Sequence, residues 1–139
     1  MKKFLCFVLV VVMLSLCSVS ALALTVNLND ENIIFPDAKP YAESDKILVP
    51  MRFVFEALKL GVFWDGEAQT VITLDRNSNY LVMQIGNSDL YVNTDKIALD
   101  KAPVLFESRT MLTSETLCEI LNLESSFDEA SQTLSLYTK

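Results

Sequence analysis

The sequence of this chain contains one pattern twice. Shifting the numbering by 63 from Asp37 onward aligns the first half with the second, without a gap, to the end of the chain. The aligned residues keep an apolar or turn-forming character, as in Val54 with Leu117 and Trp64 with Phe127. Upstream of that point the shift becomes 64. Self-similarity at a fixed period is typical of a structural unit used more than once, here a unit of about 60 residues.

The first copy predicts a strand, a helix and a second strand with almost no loop between them, over residues 46–65. Residues 47–49 are apolar and favour a strand. Pro50 suits the first helical turn, since that turn has no use for the N–H that proline lacks. Apolar residues then recur at helical spacing over residues 51–58. Gly61 is predicted to end the helix in a left-handed conformation.

The second copy predicts the same elements with a different helix start. Thr113 replaces Pro50 as an N-cap, and Glu115 suits the first helical turn. The remaining residues alternate as short strands between turn signals, at 25–29, 33–35, 70–74, 80–85, 90–92 and 97–99. The predicted fold is therefore α+β, with short antiparallel strands packed on two helices and built from two similar strand-helix-strand units.

The first 23 residues are predicted to be a signal peptide. Lys2 and Lys3 precede an apolar run of 13 residues, and a small-x-small cleavage site ends at Ala23. Extending the run through Leu24 leaves an uncleaved anchor as the alternative. We expect cleavage after Ala23, export to the cell exterior or envelope, and one domain over residues 24–139.

The charge of the chain restricts its partners. The formal charge is −7, and losing Lys2 and Lys3 with the signal peptide makes it −9. A chain this acidic is a poor ligand for nucleic acid and is repelled by anionic membrane surfaces or polymers. We therefore expect no nucleic-acid partner.

Metal and thiol chemistry find little support in the composition. The chain has no histidine, and Cys118 is the one cysteine outside the signal peptide. Copper and zinc sites generally use imidazole or thiolate ligands, and a nucleophilic thiol needs a neighbouring base. Cys118 aligns with Phe55 on an apolar helix face, so we expect it to be buried. No metal site and no cofactor are predicted.

Two pairs of carboxylates recur at the repeat spacing, Glu56 with Glu119 and Asp65 with Asp128. A glycosidase needs two carboxyl groups facing a sugar across a cleft. Because each of these residues recurs within its own unit, we interpret Asp65 and Asp128 as closing turns. Glu56 is spaced to pair with Arg52. Hard-cation binding is an alternative, although no loop has calcium-loop spacing. No catalytic residue is predicted.

The aromatic residues are interpreted mainly as packing groups. Trp64 and Phe127 are expected to be buried at equivalent positions, with sugar stacking on Trp64 as the alternative. Four tyrosines are suited to a surface site, but their spacing favours no single face: Tyr41, Tyr80, Tyr91 and Tyr137.

Taken together, these residues resemble the copper amine oxidase N-terminal-like domain, also called the stalk domain: 35–41, 47–53, 56–58, Gly61 and 64–65. Residues 85–103 continue the resemblance, which covers residues 26–137. The second copy departs from the Val-Pro-Leu-Arg signature of that family at Thr113, Ser114 and Glu115. The resemblance implies an α+β domain of secreted or wall-associated bacterial proteins. It implies no amine oxidation, since copper and the quinone belong to a separate catalytic domain.

Two functions are compatible with these observations. The favoured one is a non-catalytic extracellular or cell-envelope module that binds a protein or a wall polymer. The alternative is a small secreted hydrolase using paired carboxylates. An exposed apolar patch would favour the module, and two carboxyl groups facing across a pocket would favour the hydrolase.

Overall fold

A computed structural model describes residues 22–75 and 77–139 of the chain. All but the last two residues of the predicted signal peptide lie outside this part. The described residues form two helices and thirteen strands: β1 (Thr25–Leu28), β2 (Glu31–Asn32), β3 (Tyr41–Glu43), β4 (Lys46–Pro50), α1 (Met51–Ala57), β5 (Gly61–Asp65), β6 (Thr70–Leu74), β7 (Tyr80–Gln84), β8 (Asp89–Val92), β9 (Asp95–Ala98), β10 (Val104–Phe106), β11 (Arg109–Thr113), α2 (Ser114–Leu121), β12 (Leu123–Asp128) and β13 (Thr133–Thr138). Neither helix has the length and apolarity that a membrane crossing requires.

The central sheet joins the two strands that lead into the helices. Its order is β10-β11-β4-β3, and β4 pairs antiparallel with β11 so that Val49 lies opposite Leu112. Both of these side chains are buried. Each helix follows its strand directly, so the pairing of β4 with β11 also sets where the two helices begin.

Two further sheets flank this centre. The terminal sheet has the order β12-β13-β1-β2, in which β1 runs parallel to β13. The five-stranded sheet has the order β5-β6-β7-β8-β9, and all its neighbours are antiparallel. This mostly stranded architecture with two helices confirms the predicted α+β class.

The helix boundaries differ from the prediction in the first copy. Pro50 ends β4 and precedes α1 instead of opening it, because its backbone is extended at ψ 106°. The left-handed residue after α1 is Lys59, with φ 62°, so Gly61 was the wrong choice and instead begins β5. In the second copy Thr113 caps α2 as predicted, its Oγ1 accepting a hydrogen bond from the Thr116 N–H.

The three sheets and both helices enclose one apolar core. Its members come from the inner faces of all the sheets, with Phe55, Met83, Leu117 and Leu136 among the fully buried side chains. The predicted strand at residues 33–35 was wrong. The nearby strand, β2, ends at Asn32, and beyond it Ile34 is exposed while Phe35 turns into the core.

Three side chains are less buried than predicted. Trp64 packs against the core but is only half-buried, and Phe127 is 39% exposed. Both lie on edge strands, β5 and β12, where no neighbouring strand covers one side of the ring. Cys118 is also half-buried rather than enclosed.

Candidate interaction surfaces

The outer face of the five-stranded sheet carries a row of apolar side chains. The strand pairings place Phe63 opposite Ile72, Ile72 opposite Val82, and Val82 opposite Tyr91. Neighbours in such a row have Cβ atoms about 5 Å apart. Phe63 is 63% exposed and Tyr91 41% exposed, while Ile72 and Val82 between them are half-buried. We call this set the apolar row.

The apolar row is widened on one side and bounded on another. Leu74 and Tyr80 lie opposite each other in the next row of the same face, and both are exposed. At the β9 edge Lys96 lies opposite Tyr91, and its Nζ atom is 2.8 Å from Asp89 Oδ2. This ion pair raises the pKa of Lys96 through a side-chain hydrogen bond. The result is an apolar surface with a charged margin.

The terminal sheet has a row of short polar side chains on its outer face, next to the exposed Tyr137. Its corresponding row runs Ser126, Ser135, Asn27, Asn32 through consecutive strand pairings. All four side chains are at least partly accessible to solvent. An outer face of this fold can therefore consist of short polar side chains.

A cleft of about 400 Å³ lies where the β5–β6 hairpin meets α1 and the β10–β11 hairpin. Trp64 and Leu105 give it an aromatic and an aliphatic wall, and Arg52 and Arg109 contribute guanidinium groups. Its remaining lining includes Met51, Val62, Gly66, Gln69, Val71, Ser108 and Thr110. No carboxylate is among these residues.

The four predicted carboxylates have local structural roles or face solvent. Asp65 Oδ1 accepts hydrogen bonds from the N–H groups of residues 67 and 68, at 3.0 and 3.1 Å. Asp128 Oδ1 accepts one from residue 130 at 3.0 Å. Glu56 Oε1 lies 3.6 Å from Arg52 Nη1, and Glu119 is exposed on α2. The predictions of turn closure and of the Arg52–Glu56 pair are thus confirmed.

Among the described residues, four ion pairs join the halves of the chain, and two of them link Arg109 with Asp37 and Lys46 with Asp100. Arg109 donates from Nε and Nη2 to Asp37, with Nε 3.1 Å from Oδ1, and its guanidinium lies 5.2 Å from the Phe53 ring centroid. Lys46 Nζ lies 2.6 Å from Asp100 Oδ2. The hydrogen bonds from Arg109 and Lys46 lower the pKa values of Asp37 and Asp100 respectively. The Arg109–Asp37 pair lies at the cleft, whereas Lys46 and Asp100 are not among the cleft residues.

The donor set does not fit copper. The chain has no imidazole, and residues 22–75 and 77–139 contain no group of three His, Cys, Asp or Glu side chains suited to a metal ion. Copper(II) sites are generally built on nitrogen ligands from histidine. The thiol of Cys118 has no such companions in the described residues.

The sequence interpretation missed the apolar row. A usable signal was present, because a strand with one solvent-facing side normally alternates apolar and polar residues. Residues 80–83 instead read Tyr-Leu-Val-Met, apolar on both faces, and residues 62–64 read Val-Phe-Trp. Of the four tyrosines considered for a surface site, Tyr80 and Tyr91 lie on this face. Tyr41 packs against Phe106 with ring centroids 4.8 Å apart.

Comparison with known proteins gives one clear family match. No curated protein matches the chain. The sequence profile of the copper amine oxidase N-terminal domain matches residues 27–136, nearly the whole described region. This agrees with the resemblance carried by residues 35–65 and with the α+β architecture. The chain therefore belongs to the copper amine oxidase N-terminal domain family, whose domain is itself non-catalytic.

Proposed function

We propose that this chain is a non-catalytic extracellular or cell-envelope module that binds another protein through the outer face of the five-stranded sheet. The apolar row is the observation that carries the proposal. Contiguous exposed apolar surface is uncommon on soluble proteins and marks sites of interaction. Four aligned apolar side chains, widened by Leu74 and Tyr80, form such a surface.

Folding alone does not require this face to be apolar. The inner faces of the terminal and five-stranded sheets both contribute to the core, and the apolar area that stabilises the fold is buried there. The terminal sheet completes the same fold with serine and asparagine on its outer row. An exposed phenylalanine gains little free energy from folding, whereas it gains from burial against a partner.

The chemistry of the face favours a protein over a wall polymer. Five strands about 4.8 Å apart give a surface about 20 Å wide, which suits a protein face. Its central side chains, Phe63, Ile72 and Val82, offer no hydrogen-bonding atoms, whereas a hydroxyl-rich polymer has polar groups to satisfy. Tyr91 adds an aromatic of the type enriched at protein interfaces.

The hydrolase alternative has no matching geometry. A carboxylate-based hydrolase needs two carboxyl groups across one cleft. None of Glu56, Asp65, Glu119 or Asp128 lines the cleft at Trp64. Asp65 and Asp128 have an oxygen committed to backbone N–H groups instead.

The test replaces the two most exposed residues of the row. Purified protein carrying Phe63→Ser and Tyr91→Ser should lose the envelope protein that wild-type protein retains on an affinity column. Ile34→Ser is the matched control, because Ile34 is 75% exposed but lies outside the sheets. Equal retention by the double variant and the wild type would contradict the proposal.

We also propose that the domain consists of two similar units, as the 63-residue shift suggests. Three observations support this. The two ion pairs are reciprocal, since Lys46 and Arg109 are 63 apart, as are Asp37 and Asp100. The left-handed residues Lys59 and Asn122 after the helices are also 63 apart, as are Gln69 and Gln132. Superposing residues 37–74 on 100–137 tests this: α1 should fall on α2, and displaced helices would contradict it.

The site of action follows from the signal peptide proposal. We propose export with cleavage after Ala23, supported by the residue pattern of positions 1–23. N-terminal sequencing of protein recovered outside the cell should begin at Leu24. Protein that retains Met1 and stays with the membrane would instead indicate an anchor.

A further inference from the structure

We propose that the cleft at Trp64 is a second binding site, one that takes a saccharide carrying a carboxylate. It is separate from the apolar row, because Trp64 and Val62 alternate with Phe63 along β5 and therefore face the opposite side of the sheet. The proposal does not depend on the protein partner of the outer face. Its components are an aromatic wall, two guanidinium groups and three neutral polar side chains in one concave surface.

The aromatic wall is accessible at its polar edge. Trp64 is half-buried, so part of the ring packs on the core while the rest lines the cleft. Gly66 lies beside the pyrrole edge, where a Cβ atom would stand 3.3 Å from Trp64 Nε1. The absence of a side chain at Gly66 thus leaves room next to the indole N–H. An aromatic ring with an accessible N–H offers both an apolar face and a donor.

The guanidinium groups supply charge for a carboxylate. Arg109 is held in place by Asp37 and Phe53, and its bonds to Asp37 use Nε and Nη2, which leaves Nη1 outside that pairing. Arg52 is held only loosely. Its 3.6 Å separation from Glu56 exceeds ordinary hydrogen-bond length, and helical pairs of this kind contribute little to stability. A ligand carboxylate can therefore recruit Arg52 at little cost, with the two-pronged geometry that arginine favours.

The neutral polar lining favours a hydroxyl-rich ligand over an apolar peptide side chain. Gln69, Ser108 and Thr110 all line the cleft, and their amide and hydroxyl groups both donate and accept hydrogen bonds. Sugar hydroxyls have the same dual character. An apolar side chain bound in the cleft would remove these groups from water without offering them hydrogen-bond partners, which weakens binding.

The charged side chains that line the cleft are both cationic, with Asp37 and Glu56 pairing with them from outside the lining, whereas the whole protein is acidic. The chain carries a formal charge of −7, yet the cleft lining contains two arginines and no acidic residue. Short-range contact with an anionic group is therefore favourable here, although the protein as a whole repels polyanions. A short acidic saccharide fits this combination better than a long anionic polymer.

Tryptophan fluorescence gives a site-specific test, because Trp64 is the one tryptophan of the chain. Purified protein is titrated with a glucuronic-acid trisaccharide and, in parallel, with the neutral glucose trisaccharide. We expect a saturable change in emission with the acidic sugar and at least about tenfold weaker binding of the neutral one, as for the loss of one charge-assisted contact. No saturable change with the acidic sugar would overturn the proposal, as would equal binding of the two sugars.

Two variants locate the effect. Arg52→Gln should weaken acidic-sugar binding about tenfold and leave binding of the neutral sugar unchanged. Gly66→Ala should weaken both sugars, since its methyl group covers the indole edge without requiring a left-handed backbone. Lys59→Gln is the matched control, because it removes an exposed cation outside the cleft and should change neither affinity. Equal losses in Lys59→Gln and Arg52→Gln would reduce the effect to net charge and overturn the site, as would preferential binding of an acidic tripeptide.

Discussion

The outer faces of the terminal and five-stranded sheets differ in polarity, a property that the fold does not dictate. Ser126, Ser135 and Asn27 form the outer row of the terminal sheet, whereas Phe63, Ile72 and Val82 form that of the five-stranded sheet. Both sheets bury their other face in the same core. The apolar residues of the inner faces are explained by folding. A difference in polarity between the outer faces is instead explained by the molecules that bind there.

The largest expected effects fall on the inner faces, where the two sheets should behave alike. Met83→Ala in the five-stranded sheet and Leu136→Ala in the terminal sheet should each lower the free energy of unfolding by about 2–5 kcal/mol. Both side chains are fully buried, so each truncation removes apolar contacts and leaves a cavity. Urea unfolding measures the loss. A value below about 1 kcal/mol at either site would mean that this sheet does not share the core.

A smaller effect separates the two edge aromatics. Trp64→Ala should cost about 2–3 kcal/mol, less than a fully buried tryptophan, because part of its surface already meets solvent. Phe127→Ala should cost about 1 kcal/mol, since Phe127 is exposed on β12. Urea unfolding of both variants tests the order, and an equal loss would contradict the difference in burial.

Exchanging residues between the two outer faces should change the binding of an apolar dye and barely change the free energy of unfolding. Phe63→Ser should change the free energy of unfolding by less than about 1 kcal/mol, because Phe63 is mostly exposed. It should also reduce the fluorescence of a bound apolar dye such as ANS. Ser126→Phe should increase the dye signal by adding an apolar group to the polar row. If Phe63→Ser left dye binding unchanged, the apolar row would not be the dominant exposed patch.

The smallest expected effect is local and depends on pH. The β6–β7 turn is held by Asp75, which accepts hydrogen bonds from the Asn77 N–H at 2.7 Å and the Asn79 N–H at 2.8 Å. The Asn79 side-chain hydrogen bond lowers the pKa of Asp75. A lowered folded-state pKa means stability that is present above the unfolded pKa of about 3.9 and lost as pH falls through the folded value.

The corresponding corner of the terminal sheet sharpens this test. Asn29 Oδ1 accepts from the Thr138 N–H at 3.0 Å, and an amide does not titrate in this range. Hydrogen-exchange protection should therefore fall at Asn79 as the pH drops below about 4, while Thr138 keeps its protection. Asp75→Asn should remove the pH dependence at Asn79. A parallel loss at both corners would point to general acid unfolding.

Much of the local structure could be predicted from residue patterns. The bounds of β6 at residues 70–74, the Thr113 cap and the turns at Asp65 and Asp128 depend on neighbours a few positions away. The two wrong predictions at α1, for its start at Pro50 and its end at Gly61, also have a local cause. Pro50 tolerates both an extended and a helical backbone, and Lys59 takes the left-handed conformation two positions before the glycine that seemed suited to it.

The sequence by itself determined three things: the family, through residue motifs that match its profile; the α+β class, through short-range periodicity; and the absence of imidazole ligands, through composition. Only the tertiary structure decided which apolar residues remain exposed. Phe63 and Trp64 are adjacent on β5, yet alternation sends one to the apolar row and the other to the cleft. Which side of a strand is covered depends on sheets and hairpins formed by residues distant in sequence. A local residue pattern does not show where those elements pack.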